Sequence, residues 1–432
     1  MGGAGRRRTN WLAAGLLVWG AVVAAWADGG PSAWPEFRGP SQQGYAGGAK
    51  LPVTWSESSN IVWKTPIEHA GWSTPVVLDG QVWCTGATSD GKKMYVYCLD
   101  AATGAILFDK LLFENADPEP LGNAVNGYAS CTPAIEPGRV YVHFGSYGTA
   151  AIDTKTFEIL WTRRDLPCRH YRGPGSSVIL VDDKLVLTMD GVDVQYLVAL
   201  DKATGRTVWK TERSTIWNDY DANGNVIAEG DFRKGYGTPL VMEVGGRRQL
   251  ISAGAMSAFS YDPATGEELW KLVYNGYNAA SRPVRVGDLV VINTSHPRAS
   301  LMAVRPDGRG DITATHVVWT YNRGVPIKPS PVVVGTRIYF VNDQGVATCL
   351  DGQTGEEIWK ERIGGSYSAS PVATDEYIYF FSETGESVVI PADGTFRIVA
   401  QNKLDDGFMS SPAVVGDALF VRTRRHVYRI GK

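Results

Sequence analysis

The feature that most constrains the fold of this 432-residue chain is a short motif that recurs along its length. A small residue is followed by proline and then by β-branched or small apolar residues, as in Ser73-Thr74-Pro75-Val76-Val77. Seven further copies, roughly 40 to 60 residues apart, begin at Thr132-Pro133, Ser176-Ser177, Thr238-Pro239, Arg282-Pro283, Ser330-Pro331, Ser370-Pro371 and Ser411-Pro412. Only the Ser176-Ser177 copy lacks the proline. Eight copies of one unit predict a repeat architecture.

A second motif, Asp-x-x-Thr-Gly-x-x-x-Trp, closes the best-defined units. Its clearest copies are Asp201–Trp209, Asp262–Trp270 and Asp351–Trp359. The Asp and Thr side chains can bond nearby backbone amides, and the glycine supplies the positive φ that such a turn needs. We expect the tryptophan to lie on the following strand, where its large surface can fill the gap between adjacent sheets.

Four short strands per unit, with almost no helical periodicity, predict an all-β, eight-bladed β-propeller with four-stranded antiparallel blades. Its C-terminal unit carries only three strands, whereas residues 60–66 read as an orphan outer strand with its own tryptophan, Trp63. We therefore expect the N-terminal strand to pair with the C-terminal blade, which closes the ring and removes the open sheet edges. The predicted propeller spans residues 60–432.

Residues 1–27 are typical of an export signal. Arg6, Arg7 and Arg8 precede a short apolar segment, and Ala25-Trp26-Ala27 has the small-x-small form of a cleavage site. The apolar segment is shorter than the roughly 20 residues that a membrane-spanning helix needs. The sequence therefore predicts an exported protein, cleaved after about Ala27, with no transmembrane segment in the mature chain and a periplasmic or cell-surface location.

A leader of residues 28–59, rich in Gly, Pro and Ser, separates the signal from the propeller. Two interpretations stay open. It is either a flexible tether, or a segment that lies across one propeller face with Trp34 and Phe37 as anchors.

The formal net charge of −3 argues against a general nucleic-acid binder, which needs a basic face to neutralise phosphates. The five cysteines cannot all pair with one another. Cys84 and Cys98 flank a turn symmetrically, so they form either a disulfide across a hairpin or two buried thiols. We expect the protein to be a monomer.

Both motifs resemble those of the quinoprotein, or PQQ-like, repeat family. That family includes the PQQ dehydrogenases and BamB, the propeller subunit of the outer-membrane assembly machinery. The opening Trp34-Pro35-Glu36-Phe37-Arg38-Gly39-Pro40 also resembles the leader of exported PQQ-like repeat proteins of planctomycete-type bacteria. The resemblance runs from about residue 34 to the end. It implies the propeller fold and says little about activity, because the repeats are structural.

The dehydrogenases of the family hold PQQ in the central funnel, on a calcium ion and against a ring of two adjacent cysteines. This chain has no adjacent cysteines, no haem-attachment motif and no convincing acidic ligand cluster in its loops. It also lacks GxSxG and HExxH motifs. We expect neither catalytic residues nor a cofactor, and PQQ- and calcium-dependent oxidation of an alcohol or sugar is the alternative.

One loop is a candidate for structural calcium. Asp219, Asp221, Asn223 and Asn225 place oxygen atoms at alternating positions, as a calcium loop requires. The bidentate acid expected at the twelfth position is missing, since Gly230 stands there. The competing interpretation is an exposed turn.

The connections just before each Ser/Thr-Pro motif are predicted to lie on one face, around the central channel. Seven of the eight carry an aromatic residue, and four successive ones carry cations. The predicted ligand or partner face consists of Trp72, Tyr128, Arg169, His170, Tyr171, Arg172, Arg233, Lys234, Tyr236, Tyr277, Arg282, Lys328, Tyr367 and Phe408. Packing between blades is the competing explanation for the aromatic residues.

These features favour a non-catalytic envelope propeller that recognises a partner protein or a polysaccharide, as the resemblance to BamB implies. A carbohydrate-binding propeller is a further alternative, which the ring of aromatic residues would serve.

Overall fold

The computed structural model describes residues 1–2, 29–122, 125–217, 222–223 and 230–431. Eight antiparallel sheets form a ring, and the first strands of neighbouring sheets contact one another around a central channel. The predicted all-β, eight-bladed propeller is confirmed. Within the described ranges the helical content is a single 3₁₀ turn, Asp231–Arg233, and no helix is long and apolar enough to cross a membrane.

Each blade runs from an inner strand at the channel to an outer strand at the perimeter. The first strand in chain order, β1 (Ile61–Pro66), belongs to the last blade. Blade one has β2 (Val76–Leu78), β3 (Gln81–Ala87), β4 (Lys93–Asp100) and β5 (Ile106–Glu114). Blade two has β6 (Ala134–Glu136), β7 (Arg139–His143), β8 (Thr149–Asp153) and β9 (Ile159–Arg163). Blade three has β10 (Ile179–Val181), β11 (Lys184–Asp190), β12 (Gln195–Asp201) and β13 (Thr207–Glu212).

The remaining blades repeat this order with one addition. Blade four has β14 (Leu240–Val244), β15 (Arg247–Ala253), β16 (Ser257–Tyr261) and β17 (Glu268–Val273). Blade five has β18 (Val284–Val286), β19 (Leu289–Asn293), β20 (Leu301–Val304) and, after β21 (Gly310–Asp311), β22 (Val317–Tyr321). Blade six has β23 (Val332–Val334), β24 (Arg337–Val341), β25 (Val346–Asp351) and β26 (Glu357–Arg362). Blade seven has β27 (Val372–Ala373), β28 (Tyr377–Phe381), β29 (Glu386–Pro391) and β30 (Ala400–Lys403). Blade eight has β31 (Ala413–Val415), β32 (Ala418–Arg422) and β33 (His426–Ile430), with β1 outermost.

The ring closes as predicted. Strand β1 pairs antiparallel with β33, from Ile61 opposite Ile430 to Pro66 opposite His426. In blade four the short β21 adds to the outer strand β17 in parallel and covers its edge.

The repeated tryptophan joins one blade to the next. Trp209 of blade three donates a hydrogen bond from Nε1 to the Pro263 carbonyl of blade four, at 3.1 Å. A Cβ on Gly266, which has a φ of +76°, would come within 2.6 Å of the Trp209 ring, so the turn needs glycine for its conformation and for this contact. The same donor bond recurs from Trp63 to Ala101, Trp161 to Lys202, Trp319 to Gly352 and Trp359 to Gly394.

Cys84 and Cys98 are two buried thiols and do not form a disulfide, which is the second of the two alternatives that the sequence left open. All five are free and buried. Cys84 lies opposite Tyr97 and Cys98 lies opposite Trp83 in the β3–β4 ladder, so the two thiols are one residue out of register. Neighbouring residues of a strand point to opposite faces, and Cys84 and Cys98 therefore belong to different core clusters.

Candidate functional site

A cavity of about 560 Å³ occupies the central channel on the face formed by the connections between blades. We call it the funnel. Its volume lies within the range of ordinary small-molecule sites, about 300–1,000 Å³. Aromatic, hydroxyl, amide and charged side chains line it, and they come from connections spread around the ring. Five of the predicted face residues line the funnel: Trp72, Arg172, Tyr236, Tyr277 and Lys328.

The leader closes the channel from the opposite face. Trp34 exchanges both backbone hydrogen bonds with Val77 of β2, at 2.8 and 2.9 Å, and its side chain is fully buried. Further along, the Gly44 carbonyl and the Ala46 amide bond to Ala373 of β27, at 2.9 and 2.7 Å. The leader therefore lies across one propeller face, as the second of its two interpretations predicted, and is not a flexible tether. Phe37, the second expected anchor, lines the funnel, so the leader supplies part of the cavity wall.

Two buried arginines hold the leader inside the channel. The Arg38 guanidinium donates to the carbonyls of Pro331, Pro371 and Gln43. Burial and, secondly, the Arg282 guanidinium lower the pKa of Arg38 to about 9, so it is still charged at neutral pH. Arg282 in turn donates to the carbonyls of Pro239 and Phe37. Both residues thus replace water as donors to carbonyls that the leader buries.

The Ser and Thr residues of the repeated motif form a ring of hydrogen bonds around the channel. In six of the eight junctions, the backbone N–H of the motif residue in one blade donates to the motif hydroxyl of the next blade, at 2.9–3.0 Å. The donor–acceptor pairs are Thr74–Thr132, Thr132–Ser177, Ser177–Thr238, Arg282–Ser330, Ser330–Ser370 and Ser370–Ser411. This ring explains why a hydroxyl residue precedes the proline in most copies.

The charged side chains of the funnel wall are paired with one another. Arg172 makes a two-pronged ion pair with Asp231, at 2.8 and 2.6 Å, and this pairing raises the pKa of Arg172. Lys328 lies 3.5 Å from Asp343 and 2.9 Å from Glu383. The predicted basic sector is therefore neutralised locally by carboxylates that the sequence analysis did not associate with it.

The aromatic wall is built from two adjacent connections. Tyr236 covers the buried ammonium of Lys234, which lies 4.6 Å from the ring centroid. Tyr277 stacks on His296 at 5.9 Å, with 24° between the rings, and also contacts Phe232. Trp72 lines the same cavity on another side.

Six of the predicted face residues are buried and do not line the funnel. Tyr128, Tyr367 and Phe408 are almost completely buried, because each packs within or between blades. Phe408, for example, makes an edge contact with Phe381 at 5.3 Å. His170, Lys234 and Arg282 are buried as well, and burial lowers the pKa of all three. At these six positions, packing explains the side chains better than contact with a ligand does.

The other three predicted residues lie near the funnel but outside its lining. Arg169 is exposed and pairs with Glu119 at 2.8 Å. Tyr171 is half-buried beneath the guanidinium of Arg172. Arg233 lies over the ring of Trp217.

The candidate calcium loop falls mostly outside the described residues. Asp219, Asp221 and Asn225 are not among them, so calcium binding there stays a prediction. Within the ranges that are described, no three His, Cys, Asp or Glu side chains are grouped as a metal site would require.

Sequence reasoning missed several residues of the funnel. Phe37 was expected as an anchor of the leader and not as a residue of the cavity lining. Asn126, Asn278, His296 and Asp343 lie in irregular connections and carry no motif. The hydroxyls of Thr132, Ser177, Thr238, Ser370 and Ser411 could have been found, because the repeated motif places each of them at the start of an inner strand.

The sequence matches the family described as outer membrane protein assembly factor BamB, over residues 18–305 and 193–432. The protein of that name from Yersinia pestis is 22% identical over 275 residues, which cover 51% of this chain and 66% of the relative. The one from Marinobacter adhaerens is 26% identical over 117 residues, 27% of each chain. The chain thus spans less than two thirds of these curated relatives.

Solved structures share the fold. BamB from Moraxella catarrhalis superposes with a TM-score of 0.60 at 14% identity, covering 86% of this chain and 99% of the other. A europium-containing methanol dehydrogenase superposes with a TM-score of 0.68 at 12% identity, covering 90% and 89%. At such identities the likeness shows the propeller fold alone, and the two proteins that share it are an assembly factor and a dehydrogenase.

Proposed function

This chain belongs to the family described as outer membrane protein assembly factor BamB, and we propose that it is an exported, non-catalytic binding propeller of the cell envelope. Its partner is an envelope protein, which docks on the rim of the funnel. The family description, outer membrane protein assembly factor, supports the kind of partner, and the connections on the funnel side support the docking face.

The observation that carries the docking face is the pair of long connections on the funnel side. Residues 115–133 join blades one and two, and residues 213–239 join blades three and four. The second leaves Ile216 72% exposed, beside Trp217 and the cation above its ring. Aromatic residues and arginine are enriched in protein interfaces, and Ile216 adds exposed apolar surface beside such a pair.

The docking face can be tested with a photo-cross-linking amino acid in place of Ile216, expressed in the envelope of the source organism. We expect a discrete adduct with an envelope protein from position 216. The matched control is Val318, which is 44% exposed on the outer strand β22. Equal adducts from both positions, or none from position 216, would show that the partner does not dock on this rim.

The alternative is a PQQ- and calcium-dependent dehydrogenase, favoured by the funnel itself. Two observations weigh against it. The lining cations Arg172 and Lys328 are already paired with carboxylates, although an acidic quinone requires cationic partners. The lining carboxylates Asp231 and Asp343 lie in separate ion pairs and are not grouped as calcium ligands.

We expect PQQ, with or without calcium, to leave the melting temperature of the protein unchanged and to give no dye-linked oxidation of alcohols. A genuine quinoprotein dehydrogenase serves as the positive control under the same conditions. Calcium-dependent stabilisation by PQQ together with turnover would refute the non-catalytic proposal.

A further inference from the structure

The funnel carries hydrogen-bond donors that need a ligand. Thr132, Ser177, Thr238, Ser370 and Ser411 line it, and each hydroxyl oxygen already accepts a backbone N–H from the neighbouring blade. The proton of each hydroxyl is therefore left to donate. Among the described residues, none of the five hydroxyl groups donates a hydrogen bond, although each accepts one. All five side chains are more than nine-tenths buried, so they offer donors in a largely desolvated setting.

Two further lining residues need partners of opposite kinds. The Asn278 side-chain oxygen and the Trp72 indole nitrogen are both buried atoms without a hydrogen-bond partner in the described structure. The first requires a donor and the second requires an acceptor. Asn126, in contrast, already bonds to the carbonyls of Arg172 and Pro174 and to the Ser130 hydroxyl. A ligand that satisfies the funnel must therefore both donate and accept, which is what a hydroxyl group does.

The charges of the lining favour a neutral ligand. The formal charges of Arg172 and Lys328 are cancelled by Asp231 and Asp343. An anionic ligand would have to compete with a carboxylate at 2.6 Å from the Arg172 guanidinium. About a quarter of each side chain of this pair is exposed, and an anion that displaced the carboxylate would have to replace two charge-assisted hydrogen bonds.

The shape of the cavity favours the end of a chain. The leader crosses the channel and bonds to inner strands of three blades, at Val77, Val241 and Ala373. Its Phe37 lines the cavity, so a polymer cannot pass through the channel. Tyr236, Tyr277 and Trp72 supply aromatic rings on the wall, and flat apolar C–H faces pack well against such rings. Sugar rings combine C–H faces with hydroxyl groups that both donate and accept.

We infer that the funnel binds the terminal residues of a neutral oligosaccharide. The sugar hydroxyls meet the ring of Ser and Thr protons, the Asn278 oxygen and the Trp72 indole N–H, while the sugar rings stack on the tyrosines. This site is distinct from the docking rim proposed above, because it uses the interior of the funnel and not Ile216. The failure of either proposal leaves the other standing.

Isothermal titration and tryptophan fluorescence test the inference on the mature protein, with maltotriose, cellotriose and triacetylchitotriose as neutral probes and trigalacturonate as the anionic probe. We expect saturable binding of at least one neutral probe and none of trigalacturonate. Tyr277→Ala and Asn278→Leu should each weaken binding by about tenfold or more, the usual effect of removing a central contact.

Two controls separate a lost ligand contact from a damaged fold. Tyr277→Phe keeps the ring and should bind the probe nearly as well as the unchanged protein. Tyr377→Ala removes a half-buried tyrosine of β28 that does not line the funnel, and it should leave binding unchanged. Absence of binding by every neutral probe, preference for trigalacturonate, or equal losses in Tyr277→Ala and Tyr377→Ala would overturn the inference.

Discussion

Replacing Trp209 with alanine is expected to lower the free energy of unfolding by about 3–5 kcal/mol, the range for a large aromatic removed from a core. Trp209 is 8% exposed, lies opposite the small Ala199, and covers the Gly266 turn of the next blade. The change removes this inter-blade packing and the hydrogen bond to the Pro263 carbonyl. Denaturant unfolding followed by tryptophan fluorescence and circular dichroism measures the effect.

Two variants separate the packing of Trp209 from its hydrogen bond. Trp209→Phe keeps most of the buried surface and should cost about 1 kcal/mol from the lost hydrogen bond, with a further packing loss. Val208→Ala, at the exposed neighbouring position of β13, should change stability by less than about 0.5 kcal/mol. If Trp209→Ala and Val208→Ala were equally mild, the tryptophan would not be the joint between blades three and four.

Replacing Arg38 with methionine is expected to lower the free energy of unfolding by about 2–4 kcal/mol, because buried carbonyls that lose a charged donor are left unsatisfied. The carbonyls concerned are those of Pro331, Pro371 and Gln43. Relief of repulsion from Arg282 offsets part of the loss. We also expect limited proteolysis to cut residues 29–59 before the blades, since the guanidinium holds the leader in the channel.

The matched control for Arg38 is a second cation of the leader. Lys50 is exposed and pairs with Glu376 at the surface, so Lys50→Met should leave stability and the proteolysis pattern nearly unchanged. If Arg38→Met behaved like Lys50→Met in both measurements, the leader would be held by its backbone pairing with Val77 and Ala373 and not by the buried guanidinium.

The fold could be predicted because its determinants are local and repeated. The Asp-x-x-Thr-Gly turn is stabilised by bonds within five residues, as in Asp201, whose carboxylate accepts from the amides of Ala203 and Thr204. The partner of each tryptophan is the next copy of the same turn. Closure by β1 could also be predicted, because an unpaired strand at one end of the chain and a three-stranded unit at the other can hydrogen-bond to each other and complete the last blade.

The candidate site could be predicted only in part. The motif positions locate the connections that surround the channel, and Trp72, Arg172, Tyr236, Tyr277 and Lys328 do line the funnel. Sequence position does not reveal how deeply a connection is folded under its neighbours. Tyr367 and Phe408 occupy equivalent connections and yet are buried, because each packs into a core cluster of blade residues.

By itself, the sequence determined the number of blades, the order of the strands, the inter-blade tryptophan and the closing strand, since each depends on contacts between neighbouring or repeated segments. The tertiary structure alone decided that the leader seals the channel, that Arg172 is neutralised by Asp231, and that five motif hydroxyls converge on one cavity. Those features join residues that are far apart in the chain. Such residues come within hydrogen-bonding distance only when the blades and the leader pack around the channel.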